Sequence, residues 1–227
     1  GVALPRGMRI MNDLNLAIKE RDILVMAVPS HVVRVVGEQL PPFDPGAAPV
    51  IINVAKGIEN TTFMRMSQVL EETLTGMPSE KIVTLSGPSH AEEVSRQIPT
   101  AVVAASSSIE TAEFVQNVFM NNYFRVYRSQ DIIGVELGGS LKNIVAIAAG
   151  IADGAGFGDN TKAALQPRAL VEMARLGKKL GADPMTFFGL SGMGDLIVTC
   201  MSRHSRNRYV GEEIGKGDPR FLVGLEA

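Results

Sequence analysis

Four stretches in the second half of the chain combine glycine with side chains able to do chemistry. They are Glu136-Leu-Gly-Gly-Ser-Leu-Lys142-Asn143, Gly154-Ala-Gly-Phe-Gly158-Asp159-Asn160-Thr161-Lys162, Gly192-Met-Gly194-Asp195 and Ser205-Arg206-Asn207-Arg208. Each adds polar groups that a small domain must solvate or pair. A tight backbone beside Lys, Asn, Asp and Arg suits a pocket for a small phosphorylated molecule. Lys142 falls in an apolar helical run with Leu137, Leu141, Ile144, Val145 and Ile147. Its ammonium either snorkels to the surface or works inside, where Gly138-Gly139-Ser140 admits a close neighbour. Asp195 is the best available carboxylate partner for it. Arg206 and Arg208, with Asn207 between them, carry donors of the kind that clamp a phosphate; the alternative is a basic surface loop.

A second set sits where apolar runs end: Pro29-Ser30-His31, Lys56-Gly57 and Ser86-Gly87-Pro88-Ser89-His90. Singly, these residues terminate strands and cap helices. Their repetition after three consecutive apolar runs favours a ligand-binding edge, since open parallel sheets bind ligands at strand ends. Lys56 then points out of the sheet top, while His31 and His90 are expected to cap or pack. Gly154-Ala-Gly-Phe-Gly158 is not a dinucleotide fingerprint. No strand precedes it, its sixth position is Asp159, and no strand with an acidic end follows. It suits a tight helix connection that exposes amides beside Asn160, Thr161 and Lys162. Cys200 has no paired base, and Met11, Met64, Met120, Met173 and Met185 are expected to fill core gaps.

The elements that must position these groups follow from periodicity. Apolar runs at 22–28, 49–55, 81–85, 100–105 and 124–127 predict strands. Helical spacing predicts helices at 13–20, 31–40, 62–74, 89–95 and 110–119. That alternation predicts a largely parallel sheet covered on both faces. Beyond residue 127 the pattern changes: 131–152 is apolar and rich in Gly and Ala, 163–181 and 184–190 are helical, and no strand is evident. The predicted division is therefore a Rossmann-like domain at 1–127 and an all-helical domain at 128–227.

Bulk composition narrows the classes. The 227 residues are 45 % hydrophobic and 20 % charged, enough for a real core. A formal charge of −2 gives no general attraction for nucleic acid or an acidic membrane. One cysteine excludes an intrachain disulfide framework, and three histidines with it are too few and scattered for structural zinc. No uncharged apolar stretch reaches 18 residues. The expectation is a soluble, cytoplasmic protein with no metal, no nucleic-acid partner and no stable membrane insertion.

The stretches 27–30, 55–57, 85–89, 136–143, 154–165 and 189–211 together resemble the bacterial-type NAD(P)-dependent glycerol-3-phosphate dehydrogenases. The last of these, Gly189-Leu-Ser-Gly-Met-Gly-Asp-Leu-Ile-Val-Thr-Cys-Met-Ser-Arg-His-Ser-Arg-Asn-Arg, is the most specific. The resemblance implies an N-terminal cofactor domain and a helical substrate domain. It also implies reversible oxidoreduction of sn-glycerol 3-phosphate and dihydroxyacetone phosphate with NAD or NADP, in phospholipid synthesis, by a homodimer. By it, Lys142 is the general acid/base, with Lys56 and Asp195 as further catalytic residues. Asn143, Thr199, Ser205, Arg206 and Asn207 bind substrate, and Pro29, Ser30, Lys56, Ser89, Ala91 and Arg206 touch the cofactor. The chemistry suits these types: an ammonium donates a proton as negative charge grows on the ketone oxygen, and a carboxylate keeps that ammonium charged.

Two departures from the family pattern stand out. The chain opens abruptly at Gly1-Val-Ala-Leu-Pro-Arg and closes at Phe221-Leu-Val-Gly-Leu-Glu-Ala227. The expectation is a fragment lacking the family's N-terminal glycine-rich turn, the first part of its sheet, and its C-terminal helices. Gln166-Pro167 also replaces an apolar residue and Thr before Arg168. Deep inside a helix such a proline breaks a hydrogen bond, at a cost of roughly 3 kcal/mol. The alternatives kept open are a Rossmann-type 2- or 3-hydroxy acid dehydrogenase, or an inactive nucleotide-binding remnant.

Overall fold

A computed structural model describes residues 7–218. They divide between Ile132 and Ile133 into two compact units.

The first unit is built on β1 (Ile23–Met26), β2 (Val50–Asn53), β3 (Ile82–Ser86), β4 (Thr100–Ala105) and β5 (Phe124–Ser129), which lie side by side in chain order. Helices α1 (Leu14–Ile18), α2 (Val33–Glu38), α3 (Met66–Thr73), α4 (Ala91–Val94) and α5 (Ile109–Phe119) connect or precede them. Alternation along a strand explains both faces: Ile51 packs with Val33, Val69 and Leu70, while Ile52 packs with Val83, Val102 and Val115. The expectation of a sheet with its first part missing is corrected, because 23–129 supply one hydrogen-bonded five-stranded sheet with an apolar cluster on each face. Pairings β1–β2, β2–β3 and β4–β5 are parallel, but β3–β4 is antiparallel. The reason is local. The four-residue α4 is too short to carry the chain back along the sheet for a parallel return.

Residues 54–65, between β2 and α3, are braced from outside. Arg34 on α2 forks onto Glu59, with Nε to Oε1 and Nη2 to Oε2 both at 2.8 Å, and Nη2 also reaches Glu72 at 2.9 Å. Hydrogen bonds from Arg34, then from Thr62, hold the Glu59 carboxyl at about 2, well below its usual 4.5. A depressed carboxyl stabilises the fold fully above its unfolded value and loses that effect as pH falls through its folded value. Glu59→Gln is therefore expected to lower Tm at pH 7, with the gap to wild type closing between about pH 4.5 and about pH 2. A pH series of thermal melts checks this; a constant gap across that range would contradict it.

The second unit contains α6 (Ile132–Gly154), α7 (Asp159–Lys179), a 3₁₀ turn at Pro184–Phe188, a π-helical turn at Leu190–Gly194, α8 (Asp195–Met201) and α9 (Arg206–Gly215). The predicted helix or helices at 131–152 are one helix. It is long and apolar enough to cross a membrane by length and composition, with a most apolar window of mean hydropathy 1.5, and 56 % of that window is buried inside the fold. Helix α7 starts at Asp159, earlier than the spacing suggests, so Pro167 lies two turns inside it. Ala163, whose carbonyl loses its usual donor there, is exposed, so water can satisfy it. The segment 206–215, for which periodicity predicts no element, is helical. Of the methionines assigned to gaps, Met173 is buried, whereas Met11, Met120 and Met185 are exposed.

Glycines set the close contacts. A β-carbon on Gly138 would lie 2.6 Å from the Ser191 carbonyl oxygen, so α6 admits the π turn directly against its backbone. Helices α6 and α9 meet through two pairs spaced by four residues. A β-carbon at Gly150 would lie 2.0 Å from the Arg208 carbonyl oxygen, and one at Gly154 2.1 Å from that of Glu212. In return, Gly211 would meet Ile147 O at 2.1 Å and Gly215 would meet Ile151 O at 2.3 Å. The two backbones touch without side chains between them.

Candidate functional site

In the first unit, the loops after β1, β2 and β3 meet at one sheet edge, because those neighbouring strands run parallel. Pro29 is exposed and precedes a 3₁₀ turn at Ser30–Val32. Gly57, at φ +157°, approaches Ser30 so closely that a β-carbon would lie 2.4 Å from the serine Oγ. Half-buried Lys56 donates from Nζ to the Gly87 carbonyl at 3.0 Å, and Ser89 Oγ donates to the same oxygen at 3.2 Å. Ala91 is exposed at the start of α4. The Ser86 hydroxyl, at the end of β3, is buried with no hydrogen-bond partner among the described residues. Lys56 therefore lies across the strand ends rather than standing clear of the sheet.

In the second unit, Lys142, Asp195 and Thr199 converge, with 6 %, 1 % and 4 % of their surface exposed. Lys142 Nζ is ion-paired and hydrogen-bonded to Asp195 Oδ1 and donates to Thr199 Oγ1 at 2.7 Å. Thr199 Oγ1 in turn donates to the Asp195 carbonyl at 2.6 Å. Local structure explains the trio. The π turn, closed by Gly194 N–H to Gly189 O at 3.1 Å, feeds directly into α8, and Asp195 and Thr199 then share one face at i and i+4. Asn143 follows Lys142 on α6 and is half-buried. Cys200 is packed on the same helix, and burial pushes its thiol up to about 11 against the pull of Lys142 and Arg208. It is a poor nucleophile.

A four-residue link leads from α8 to α9. Ser205, 5 % exposed, caps α9 by accepting the Arg208 amide at 3.2 Å, so its hydroxyl is already engaged. Arg206 is exposed, and its guanidinium makes no hydrogen bond or ion pair among the described residues. Asn207 is half-buried beside it. Arg208 differs: its Nε and Nη2 reach Asp153 Oδ2 at 2.9 and 2.6 Å. Lys162, expected near exposed amides, also binds Asp153, through Oδ1 at 2.8 Å. Burial pushes the Asp153 carboxyl up, yet the hydrogen bonds from Lys162 and Arg208 outweigh it and hold the group low. Sequence reasoning missed Asp153. The signal was available in the paired Gly-x-x-x-Gly spacings at 150/154 and 211/215, which predict a helix crossing beside it.

Among the described residues no three His, Cys, Asp or Glu side chains gather as a metal site would require. The geometry is instead an ammonium held by a carboxylate and a hydroxyl, on the unit that also carries a cation at a helix start. A family model described as NAD-dependent glycerol-3-phosphate dehydrogenase N-terminus matches residues 1–112, and its C-terminus counterpart matches 131–221. The crystal structure of glycerol-3-phosphate dehydrogenase from Coxiella burnetii superposes with a TM-score of 0.87 at 33 % identity, over 100 % of this chain and 69 % of that one. The chain belongs to the NAD-dependent glycerol-3-phosphate dehydrogenase family. A family member from Chlorobium limicola, named glycerol-3-phosphate dehydrogenase for NAD(P)+, is 57 % identical over 217 residues, which are 96 % of this chain and 65 % of that protein. One from Pelotomaculum thermopropionicum is 56 % identical over 96 % of this chain and 62 % of its own length. The chain thus spans just under two thirds of the length of these curated relatives.

The expectation that the family's N-terminal part and C-terminal helices are missing is corrected to this extent: models of both the N-terminal and the C-terminal region match the chain. The N-terminal family model aligns from residue 1, and the C-terminal one continues to residue 221. The features that suggested truncation, at 1–6 and 221–227, lie outside the described residues.

Proposed function

We propose that this protein interconverts dihydroxyacetone phosphate and sn-glycerol 3-phosphate with NAD or NADP. The observation that carries this reading is the buried Lys142 held by Asp195 and Thr199 on the unit whose α9 begins Arg206-Asn207. In the reducing direction, Lys142 donates a proton to the ketone oxygen as that oxygen gains charge. Asp195 keeps the lysine charged until transfer, and Thr199, fixed by its own bond to the Asp195 carbonyl, sets the direction of Nζ. Arg206, Asn207 and Asn143 hold the substrate, with the Arg206 fork on the phosphate, so binding energy remote from the carbonyl positions the reacting carbon. Ser205 contributes by shaping the α9 start.

The cofactor reading rests on the first unit. The buried Ser86 hydroxyl, without a partner among the described residues, and the Lys56 ammonium sit at an edge where three loops meet, which fits a polar ligand. Pro29, Ser30, Lys56, Ser89 and Ala91 would hold it there. When bound, the nicotinamide ring supplies or accepts the hydride. We further propose a homodimer acting in the cytoplasm in phospholipid synthesis, as the resemblance implies. Steady-state rates decide the substrate: NADH or NADPH oxidation is expected with dihydroxyacetone phosphate and not with 2- or 3-keto acids. No turnover of the former would remove the proposal.

A further inference from the structure

Arg206 and Arg208 are two residues apart at the start of α9, so their side chains leave the helix roughly 200° apart. Whichever arginine faces α6, the other must face away from it. The glycine crossing turns the Arg208 side towards α6, and Asp153 holds it there. Asp153 stands on the last turn of α6, three residues after Gly150, on the side that meets α9, and it accepts two hydrogen bonds from Arg208. Its second oxygen takes Lys162 from the first turn of α7. Lys162 also pairs with Asp159 at 3.2 Å, and Arg208 with Glu212 at 3.4 Å, so both cations are compensated by neighbouring carboxylates.

We propose that Asp153 is a positioning residue: by holding Arg208 and Lys162 it locks the first turn of α9 in the rotation that the glycine crossing selects and leaves Arg206 as the guanidinium presented to an anion. The inference rests on the reading of Arg206 as the phosphate-holding cation. It assigns Asp153 no contact with substrate. Without its charge, α9 remains seated on the glycine crossing but loses the ionic clamp on its first turn, leaving Arg208 to Glu212 and Lys162 to Asp159. The effect falls on phosphate recognition and leaves proton transfer from Lys142 unchanged.

The test uses Asp153→Asn in the intact enzyme, with dihydroxyacetone phosphate and unphosphorylated dihydroxyacetone as substrates. Expected are an approximately fivefold rise in KM for the phosphorylated substrate, kcat within about twofold, and little change for dihydroxyacetone. In an Arg206→Lys background the same substitution should add less than about twofold, because the two residues act on one contact. Equal factors for both substrates, or full additivity, would overturn the proposal. Arg208→Gln removes the same contact from the other side and should repeat the pattern if Asp153→Asn does not fold. Loss of fold in both variants would make the contact one of stability alone and also overturn it. If wild type fails to turn over dihydroxyacetone phosphate, the proposed function fails separately. Calorimetry with inorganic phosphate still reads the inference, as about fivefold weaker binding to Asp153→Asn; unchanged binding would reject it.

Discussion

Lys142→Ala is expected to lower kcat at least about a thousandfold, or about 4 kcal/mol in barrier, while cofactor affinity stays within a few fold. The lysine is proposed to act at the reacting oxygen, so its loss belongs to the transition state and not to dinucleotide binding. Stopped-flow single-turnover rates with dihydroxyacetone phosphate, and NADH fluorescence titrations, supply the two readouts. A variant retaining more than a tenth of wild-type kcat would sink the assignment. The geometry adds a control. Removing Lys142 takes the paired ammonium from the Asp195 carboxylate, 1 % exposed, and breaking a buried pair costs about 3–5 kcal/mol of stability. Lys142→Ala/Asp195→Asn should recover much of that stability in urea melts yet none of the turnover. Recovery of both would mean that the single variant lost activity by unfolding.

Arg206→Lys is expected to raise KM for dihydroxyacetone phosphate at least tenfold, about 1.4 kcal/mol or more of binding. Charge is kept, but the planar fork proposed to hold the phosphate is lost. The penalty should shrink sharply for dihydroxyacetone, which has no phosphate, whereas a Lys142 variant is impaired with both. Equal factors for the two substrates would reassign Arg206 to helix packing. Its exposure and lack of a side-chain partner among the described residues speak against that outcome. Arg208 is a weak substitute for it, being already held by Asp153.

What could be seen in the sequence follows from where burial is hydrophobic. Strands β2 and β3 were legible because Val50-Ile-Ile and Ile82-Val put apolar side chains on both faces of a covered sheet. The meeting of three polar loops at one edge also followed, since parallel strands end on the same side. Helix α9 was hidden for the opposite reason: its buried residue is Gly211, which leaves no apolar period to detect. The π turn at Leu190–Gly194 was hidden because such turns carry no propensity signal, only tertiary support, here the bare backbone of Gly138. Lys142 and Asp195 were candidates from residue type, but Thr199 joined them through the family resemblance, and Asp153 required the helix crossing. The choice between Arg206 and Arg208 needed the rotation of α9, which composition does not encode.

The glycine-lined crossing has a consequence for local stability. A ten-residue helix is below the length that holds in water by itself, and α9 contributes little apolar burial of its own. Its turns persist because α6 comes close enough to shield them. The segment carrying Arg206 therefore belongs to the low-stability end of its unit, opening more readily than α6, its scaffold. An anion bound at its first turn is linked to the helix's own order. Part of the intrinsic binding free energy of the proposed phosphate would be absorbed in keeping α9 wound, so the ligand would also complete the fold that recognises it.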